Sequence, residues 1–230
     1  MRIAGMRVPG LAVPGLGGWS EDPLWASFYD WTSRHPRAGG ALWRIGINSD
    51  LGRLYRAAAE IGHLPAGTRV LDIPCGGGVA LSALRPGQGV DYVAADIAPT
   101  MLERTLQAAR ERGVAEQVTP QIADVEALPF ADDSFAMVLS FTGLHCFPDP
   151  ARAVVEMARV LAPGGVLSGS ALLNDTGRRF EPLRVIGRRV GLLGPGCTTT
   201  ELASWLAAEQ IADVLVETSG AIAYFRGIKR

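Results

Sequence analysis

The sequence predicts an α/β fold in which helices cover both faces of a mostly parallel sheet, a three-layer sandwich. From residue 68 onward, apolar runs of strand length alternate with segments of helical periodicity. Strands separated by helices need crossover connections, and these place successive strands parallel. The last two apolar runs, ADVLVETSG and AIAYFRGIKR, are joined by a tight Ser-Gly turn. That turn predicts an antiparallel hairpin at the end of the sheet.

The residues before this alternation predict an arm and two helical segments. Residues 1 to about 20 are rich in Gly and Pro, which favours irregular backbone. The segment EDPLWASFYDWTSRHP spaces its aromatic residues at near-helical intervals, and SDLGRLYRAAAEIGHLPAG places its apolar residues on one helical face. We therefore divide the chain into an N-terminal arm with an aromatic helical lid, residues 1–48, and a main domain, residues 49–230.

Strands and helices then follow in order along the main domain. The predicted strands are RVLDI, VDYVAADI, VTPQIAD, FAMVLSF and GVLSGSAL. The predicted helices are VALSALRP, PTMLERTLQAARERG, a short helix in the loop after the third strand, PARAVVEMARVLAPGG and a capped TTTELASWLAAEQI. Residues 174–197 break the alternation with five arginines among apolar residues, and they predict an inserted lid.

Composition describes an ordinary globular protein and argues against several classes of function. Hydrophobic residues make up 48% of the chain, charged residues 20%, and the net charge is −1. A near-neutral chain is a poor candidate for lasting contact with nucleic acid. Scattered cysteines and histidines predict neither a disulfide framework nor a metal site. No apolar run reaches the length of a membrane span, so we expect a cytoplasmic monomer or homodimer without an integral membrane segment.

The turn after the first strand is the strongest functional signal. In VLDIPCGGG, Asp72 ends the strand and glycines follow. Ligands of open α/β sheets bind beyond the carboxyl ends of the strands, and Gly76 and Gly78 let a ligand approach the main chain there. The start of the following helix favours a negative group such as a carboxylate. The dinucleotide pattern G-x-G-x-x-G fails at Leu81, which disfavours a nicotinamide dehydrogenase.

Four signatures in order resemble the class I S-adenosylmethionine-dependent methyltransferases, within them the small-molecule enzymes of the menaquinone and ubiquinone type. The signatures are VLDIPCGGG, AADI, IADVEALPFADDSFAMVLS and LHCFPDPARAVVEMARVLAPGGVL, which together cover about residues 68–170. The resemblance implies a Rossmann-like sheet of seven strands, S-adenosyl-L-methionine as the cofactor and S-adenosyl-L-homocysteine as the product. Pro74 departs from the family, which has its first glycine there. Because proline lacks an N–H, the close approach falls to Gly76 and Gly78.

The resemblance also assigns the cofactor site residue by residue. Asp72 helps to organise the ammonium group of the cofactor, Asp96 holds the ribose, and Asp124 accepts from the adenine amino group. The further implied cofactor contacts are Pro74, Cys75, Gly76, Gly78, Ile97, Met101, the backbone N–H of Val125, Ser140, Phe141 and Tyr29. Structural roles stand beside these assignments. Asp72 is alternatively a helix cap, Asp96 a solvated strand end, and the glycines a simple tight turn.

His145 and two other features bear on the methyl acceptor. His145 follows the fourth strand, where the acceptor pocket of the family lies, and it is either a general base or part of the pocket wall. The first 43 residues hold four tryptophans, Trp19, Trp25, Trp31 and Trp43, which suit either core packing or a lid over an apolar pocket. The segment from Arg178 to Arg189 is a second lid, a peripheral membrane contact or a solvated helix face.

The sequence therefore predicts an S-adenosylmethionine-dependent methyltransferase. Its acceptor is a small, apolar molecule such as a quinone, phenol or secondary metabolite, methylated at an O, N or C atom. We expect no metal and no nucleic-acid partner. Two alternatives stay open: a methyltransferase that acts on RNA or protein, and a cofactor-binding module without catalysis.

Overall fold

A computed structural model describes residues 36–230, and side chains from residue 39 onward. The aromatic segment with Tyr29, Trp19, Trp25 and Trp31 lies outside the described residues. Seven strands form one sheet in the order β3-β2-β1-β4-β5-β7-β6. The strands are β1 Arg69–Asp72, β2 Asp91–Asp96, β3 Val118–Ile122, β4 Phe135–Phe141, β5 Leu161–Leu172, β6 Ile211–Ser219 and β7 Ile222–Lys229.

Strands β1 to β5 pair in parallel, whereas β7 pairs antiparallel with both β5 and β6. The predicted fold class, a mostly parallel Rossmann-like sheet that ends in an antiparallel hairpin, is confirmed. The helices are α1 Pro36–Ile47, α2 Leu51–Ala58, α3 Pro99–Glu111, α4 Pro150–Val160, α5 Glu181–Arg189 and α6 Thr199–Ala208. Each of these helices is too short or too polar to cross a membrane.

Two hydrophobic clusters lie on opposite faces of the sheet and make the three layers. One cluster joins the sheet to α1, α2 and α3. The other joins it to α4 and α6. Alternation along β4 serves both layers, because Met137 and Leu139 face the first cluster while Val138 faces the second. Trp43 lies buried in the first cluster, so of its two predicted roles it takes core packing.

Several connections differ from the sequence-based expectation. VALSALRP, predicted as a helix, contains only a five-residue 3₁₀ segment, Val79–Ala83, because Pro86 favours extended backbone in the residue before it. The loop of residues 123–134, where a short helix was predicted, contains none. Strand β5 begins at Leu161, so LAPGG belongs to the strand, since Pro163 cannot continue a helix. The glycine-containing helix α1 was not predicted, because its glycines lower helix propensity.

Candidate active site

The carboxyl ends of β1, β2 and β4 meet at one edge of the sheet, and the predicted site residues from Asp72 onward gather there. The strands run parallel with Asp72 beside Ala94 and Leu139. The turn after β1 therefore lies next to the end of β2, and the Cys75 amide donates to the Ala95 carbonyl at 2.8 Å. Sequence order alone placed these residues 20 or more positions apart, and the parallel register brings them together.

The peptide of Gly76 is held from two sides. Its N–H donates to Asp96 Oδ2 at 3.1 Å, and its carbonyl accepts from the Thr105 hydroxyl at 2.7 Å. Gly76 has φ +51°, and a Cβ added there would meet no atom within 4 Å. Gly78 has φ +80° and closes the turn by donating to the Cys75 carbonyl at 2.9 Å. The turn thus has fixed backbone and open space in front of Gly76.

Asp96 is buried and bonded to backbone at both carboxylate oxygens. Oδ2 accepts from Gly76, and Oδ1 accepts from the Ala98 N–H at 3.0 Å. Burial raises the pKa of this carboxyl, although these amide hydrogen bonds oppose the shift. A carboxylate accepts about four hydrogen bonds, and the Ile97 amide is a third backbone donor to Asp96, so the group keeps capacity for a further donor such as a hydroxyl. The alternative of a freely solvated strand end is wrong, since the side chain is buried.

Asp72 lies beneath the turn and is bonded to a tyrosine. The Tyr92 hydroxyl donates to Asp72 Oδ2 at 2.6 Å, and Asp72 is only 2% exposed. Burial, and to a smaller extent the charge of Asp96, raises the pKa of Asp72 to about 7. The 3₁₀ segment after the turn has no side-chain cap, so the alternative that Asp72 caps it is wrong.

The loop after β3 reaches the same edge through backbone contact. The Ala123 N–H donates to the Asp96 carbonyl at 3.0 Å. Asp124 is exposed, and its Oδ1 accepts from the Glu126 N–H at 3.0 Å, while Val125 is buried. Among the other predicted contacts, Ile97 is half exposed and Met101 is packed against Ala98.

The end of β4 supplies a polar group without a hydrogen-bond partner. The Ser140 hydroxyl is buried and has no partner among the described residues. Phe141 is buried beside it, and Thr142 follows with φ +55°. An orphaned hydroxyl, a turn with room for a ligand and a carboxylate with spare acceptor capacity fit a bound nucleoside-containing cofactor.

Pro74 and Gly143 form a close-packed pair below the turn. A Cβ at position 143 would overlap the ring of Pro74, so glycine is needed there. Pro74 therefore fills space that a glycine would leave open. The sequence alone showed that Pro74 departs from the family pattern. It did not show that Gly143, in the loop after β4, makes room for the proline ring.

His145 lies after β4 and accepts a hydrogen bond from backbone. The Leu172 N–H donates to its Nδ1 at 3.1 Å, and burial lowers the pKa of His145 to about 4. A neutral imidazole carries one N–H and one acceptor nitrogen, so its proton resides on Nε2. The His145 carbonyl also accepts from the Gly194 N–H at 2.9 Å. The segment that contains α5 is therefore fastened to the loop that carries His145.

Two residues of this site were missed from the sequence. Thr105 is fully buried on α3 and bonds the Gly76 carbonyl, and Tyr92 is fully buried on β2 and bonds Asp72. A threonine on the apolar face of a helix and a tyrosine inside a buried strand were the available signals. Buried hydroxyls usually have partners, but the sequence does not indicate which ones.

Comparisons with known proteins relate this chain to methyltransferases. Residues 71–168 match the family model described as a methyltransferase domain. The chain is 38% identical over 124 residues to a demethylmenaquinone methyltransferase of Thermus thermophilus, covering 54% of this chain and 55% of that protein. It is 36% identical over 116 residues to a 27-O-demethylrifamycin SV methyltransferase of Amycolatopsis mediterranei, covering 50% and 43%. The chain spans about half the length of the curated relatives it matches.

Solved structures share the fold at lower identity. The [4+2]-cyclase SpnF has a TM-score of 0.62 and 21% identity, covering 78% of this chain and 81% of that one. Likeness at this identity establishes the fold alone. The family match, together with the motifs and the strand order, confirms the predicted resemblance. Residues 71–168 form a methyltransferase domain of the class I, Rossmann-like type.

Proposed function

We propose that the protein is a cytoplasmic S-adenosylmethionine-dependent methyltransferase of a small, apolar acceptor such as a quinone, phenol or secondary metabolite. The observation that supports this cofactor is the buried Asp96 carboxylate, which bonds the glycine turn and keeps acceptor capacity for a hydroxyl donor. The names of the two relatives, which act on a demethylmenaquinone and a demethylrifamycin, support the acceptor class. The three cysteines are free thiols, which supports the cytoplasmic location because disulfides are rare there.

Different residues of the site would bind different parts of the cofactor. Asp96 would accept from a ribose hydroxyl, the open face of Gly76 would admit the methionyl part, and Asp124 with Val125 would hold the adenine. When bound, S-adenosylmethionine supplies a methyl group on a positively charged sulfur, which the acceptor atom attacks in line. The protein then has to align the reactants and exclude water, which favours this displacement without a nucleophilic side chain.

His145 would act as a hydrogen-bond donor to the acceptor rather than as its base. Its Nδ1 already accepts from Leu172, and the low pKa keeps the ring neutral with the proton on Nε2. A donor at that position would orient an acceptor oxygen. The earlier expectation of a general base stays a prediction, and it requires the Leu172 bond to break.

Calorimetric titration with S-adenosylhomocysteine and with its 2′-deoxy analogue tests the ribose assignment. We expect the wild type to discriminate against the analogue by roughly tenfold, the value of about one hydrogen bond to a charged group. Asp96→Asn should lose most of that discrimination, because one carboxamide group replaces two acceptor oxygens. Asp91→Asn is the matched control, since Asp91 is exposed at the opposite end of β2 and pairs with Arg69. Equal discrimination in wild type and Asp96→Asn would contradict the assignment.

Transfer assays separate this function from its alternatives. We expect a labelled methyl group to move from S-adenosylmethionine to a member of a panel of quinols and phenols. Tight binding with no transfer to any small molecule, protein or RNA favours a module without catalysis. Transfer to RNA that falls steeply with salt favours a nucleic-acid substrate. The cyclase that shares this fold shows why transfer itself has to be measured.

A further inference from the structure

The outer face of α5 combines exposed aliphatic and cationic side chains. Leu183 is 41% exposed and Ile186 is 59% exposed. Arg178, Arg179 and Arg189 are exposed and form no ion pair within residues 39–230, and the Arg179 guanidinium lies 4.7 Å from the centroid of the Phe180 ring. Arg179, Leu183, Ile186 and Arg189 follow one another at intervals of three or four residues, so they share one side of the helical segment. A soluble helix usually faces solvent with polar groups in place of the two aliphatic ones.

A buried arginine fixes which face points outward. Arg184 is only 2% exposed, its Nε donates to Glu181, and its NH2 group donates to the carbonyls of Asn174 and Gly177. Phe180 and Gly187 are buried on the same inner side. Because Asn174 and Gly177 precede α5, rotation of the helix about its axis would break the bonds from Arg184 to their carbonyls. The aliphatic and cationic face is therefore held in the outward orientation.

We propose that this face binds peripherally to the surface of an anionic phospholipid bilayer. Arginines attract lipid phosphates, while leucine and isoleucine enter the boundary between headgroups and acyl chains. RNA accounts for the arginines but not for the two aliphatic side chains, which neither stack on bases nor bond to them. A second copy of the chain, related by a twofold axis, would place arginines against arginines. Charge and apolarity together select the bilayer surface.

The position of α5 in the fold relates this surface to the active site. The segment follows the carboxyl end of β5, and its return loop donates from Gly194 to the His145 carbonyl. Bilayer contact would therefore occur on the side of the sheet where the site residues gather. Binding to a bilayer would be a property separate from the proposed methyl transfer. Its test therefore requires neither cofactor nor acceptor.

Co-sedimentation with lipid vesicles tests the proposal on the full chain. We expect binding to vesicles of equimolar phosphatidylcholine and phosphatidylglycerol, and little binding to phosphatidylcholine alone. Arg179→Gln/Arg189→Gln should weaken binding by roughly fivefold per arginine. Leu183→Gln/Ile186→Gln should weaken it by about tenfold or more, through lost apolar insertion. Circular dichroism and melting curves check that the variants fold.

Matched controls lie elsewhere on the molecule. Leu215→Gln removes a leucine that is 56% exposed on β6, and Arg85→Gln/Arg112→Gln removes two exposed arginines at the amino-terminal edge of the sheet. Both should bind vesicles as the wild type does. Equal binding to neutral and anionic vesicles, or equal loss in the controls, overturns the proposal. Two further results also overturn it. One is binding to single-stranded RNA that depends on the arginines but not on Leu183 and Ile186, and the other is a dimer that dissociates in Leu183→Gln/Ile186→Gln.

Discussion

Thr105 shows how one side chain fixes the geometry of the glycine turn. Its hydroxyl donates to the Gly76 carbonyl, while Asp96 accepts from the N–H of the same residue. The two bonds restrain the one peptide whose open face would meet the cofactor. Since Pro74 contributes no N–H to the turn, this restraint comes from α3 and β2 rather than from the turn itself.

Removal of the Thr105 hydroxyl should weaken cofactor binding more than it slows transfer. Thr105→Val keeps the shape but leaves the Gly76 carbonyl without its donor, a loss of about 1–3 kcal/mol. We expect the dissociation constant of S-adenosylhomocysteine to rise by roughly tenfold, with kcat changed less, and Thr105→Ser to restore binding. Thr68→Val, at the amino-terminal end of β1, is the control. An unchanged dissociation constant in Thr105→Val would show that the turn holds its shape without α3.

At the scale of elements, the crossover from β3 to β4 has no helix and is held by α4 instead. Arg159 donates to the carbonyls of Leu128 and Phe130 at 3.0 and 2.9 Å. Glu156 is buried, accepts from the Leu128 N–H at 2.9 Å, and pairs with Arg159 at 2.8 Å. The hydrogen bond from Arg159 is the main reason that the pKa of Glu156 is lowered. Side chains thus satisfy backbone groups that a helix would have paired internally.

Loss of Arg159 should destabilise the protein strongly. Arg159→Met leaves Glu156 buried without its main partner and two carbonyls without donors, which costs about 3–5 kcal/mol. Arg152→Met is the control: Arg152 also pairs with Glu156, but its side chain is half exposed, so we expect a loss below about 1 kcal/mol. Urea unfolding measures both. Similar free energies of unfolding for the two variants would contradict this account of the loop.

At the scale of the whole molecule, two buried groups give opposite contributions to stability as pH changes. The pKa of His145 is about 4 in the folded protein, whereas its ordinary value, which we take for the unfolded chain, is 6.5. Between these two pH values the unfolded chain therefore binds one more proton than the folded protein. Its contribution to stability is present above pH 6.5 and is lost as pH falls toward 4. The pKa of Asp72 is about 7 when folded and 3.8 as the reference. Its contribution is present below pH 3.8 and is lost as pH rises through about 7.

Single variants should separate the two contributions. Asp72→Asn keeps a group that accepts from Tyr92 but removes the titration, so its melting temperature relative to wild type should rise between about pH 4.5 and pH 7.5. The linked free energy is on the order of 2–4 kcal/mol. His145→Asn should change in the opposite direction, gaining relative to wild type as pH falls. Glu103→Gln, an exposed position on α3, is the control. A pH-independent difference for Asp72→Asn would mean that Asp72 does not titrate in this range.

Local residue patterns were enough to predict several parts of this protein. Alternating strand and helix periods specified the parallel sheet, the Ser-Gly turn specified the hairpin, and the glycines after Asp72 located the edge where the site forms. Each of these follows from residues within one or two elements, whose conformational preferences act over short sequence distance. Two segments that were wrongly predicted as helical, VALSALRP and LAPGG, also have a local explanation, because each contains a proline that disfavours a helix.

The pairing of polar groups in the site depends on the packing of distant segments. Tyr92 bonds Asp72 across 20 residues, Leu172 bonds His145 across 27, and Thr105 bonds Gly76 across 29. The Leu172 and Thr105 contacts set the tautomer of His145 and the shape of the turn, while burial raises the pKa of Asp72 against the opposing effect of Tyr92. They arise only when packing brings distant segments together and removes water, because burial makes each unpaired polar group costly. The elements therefore follow from sequence, whereas the chemistry of the site follows from the fold.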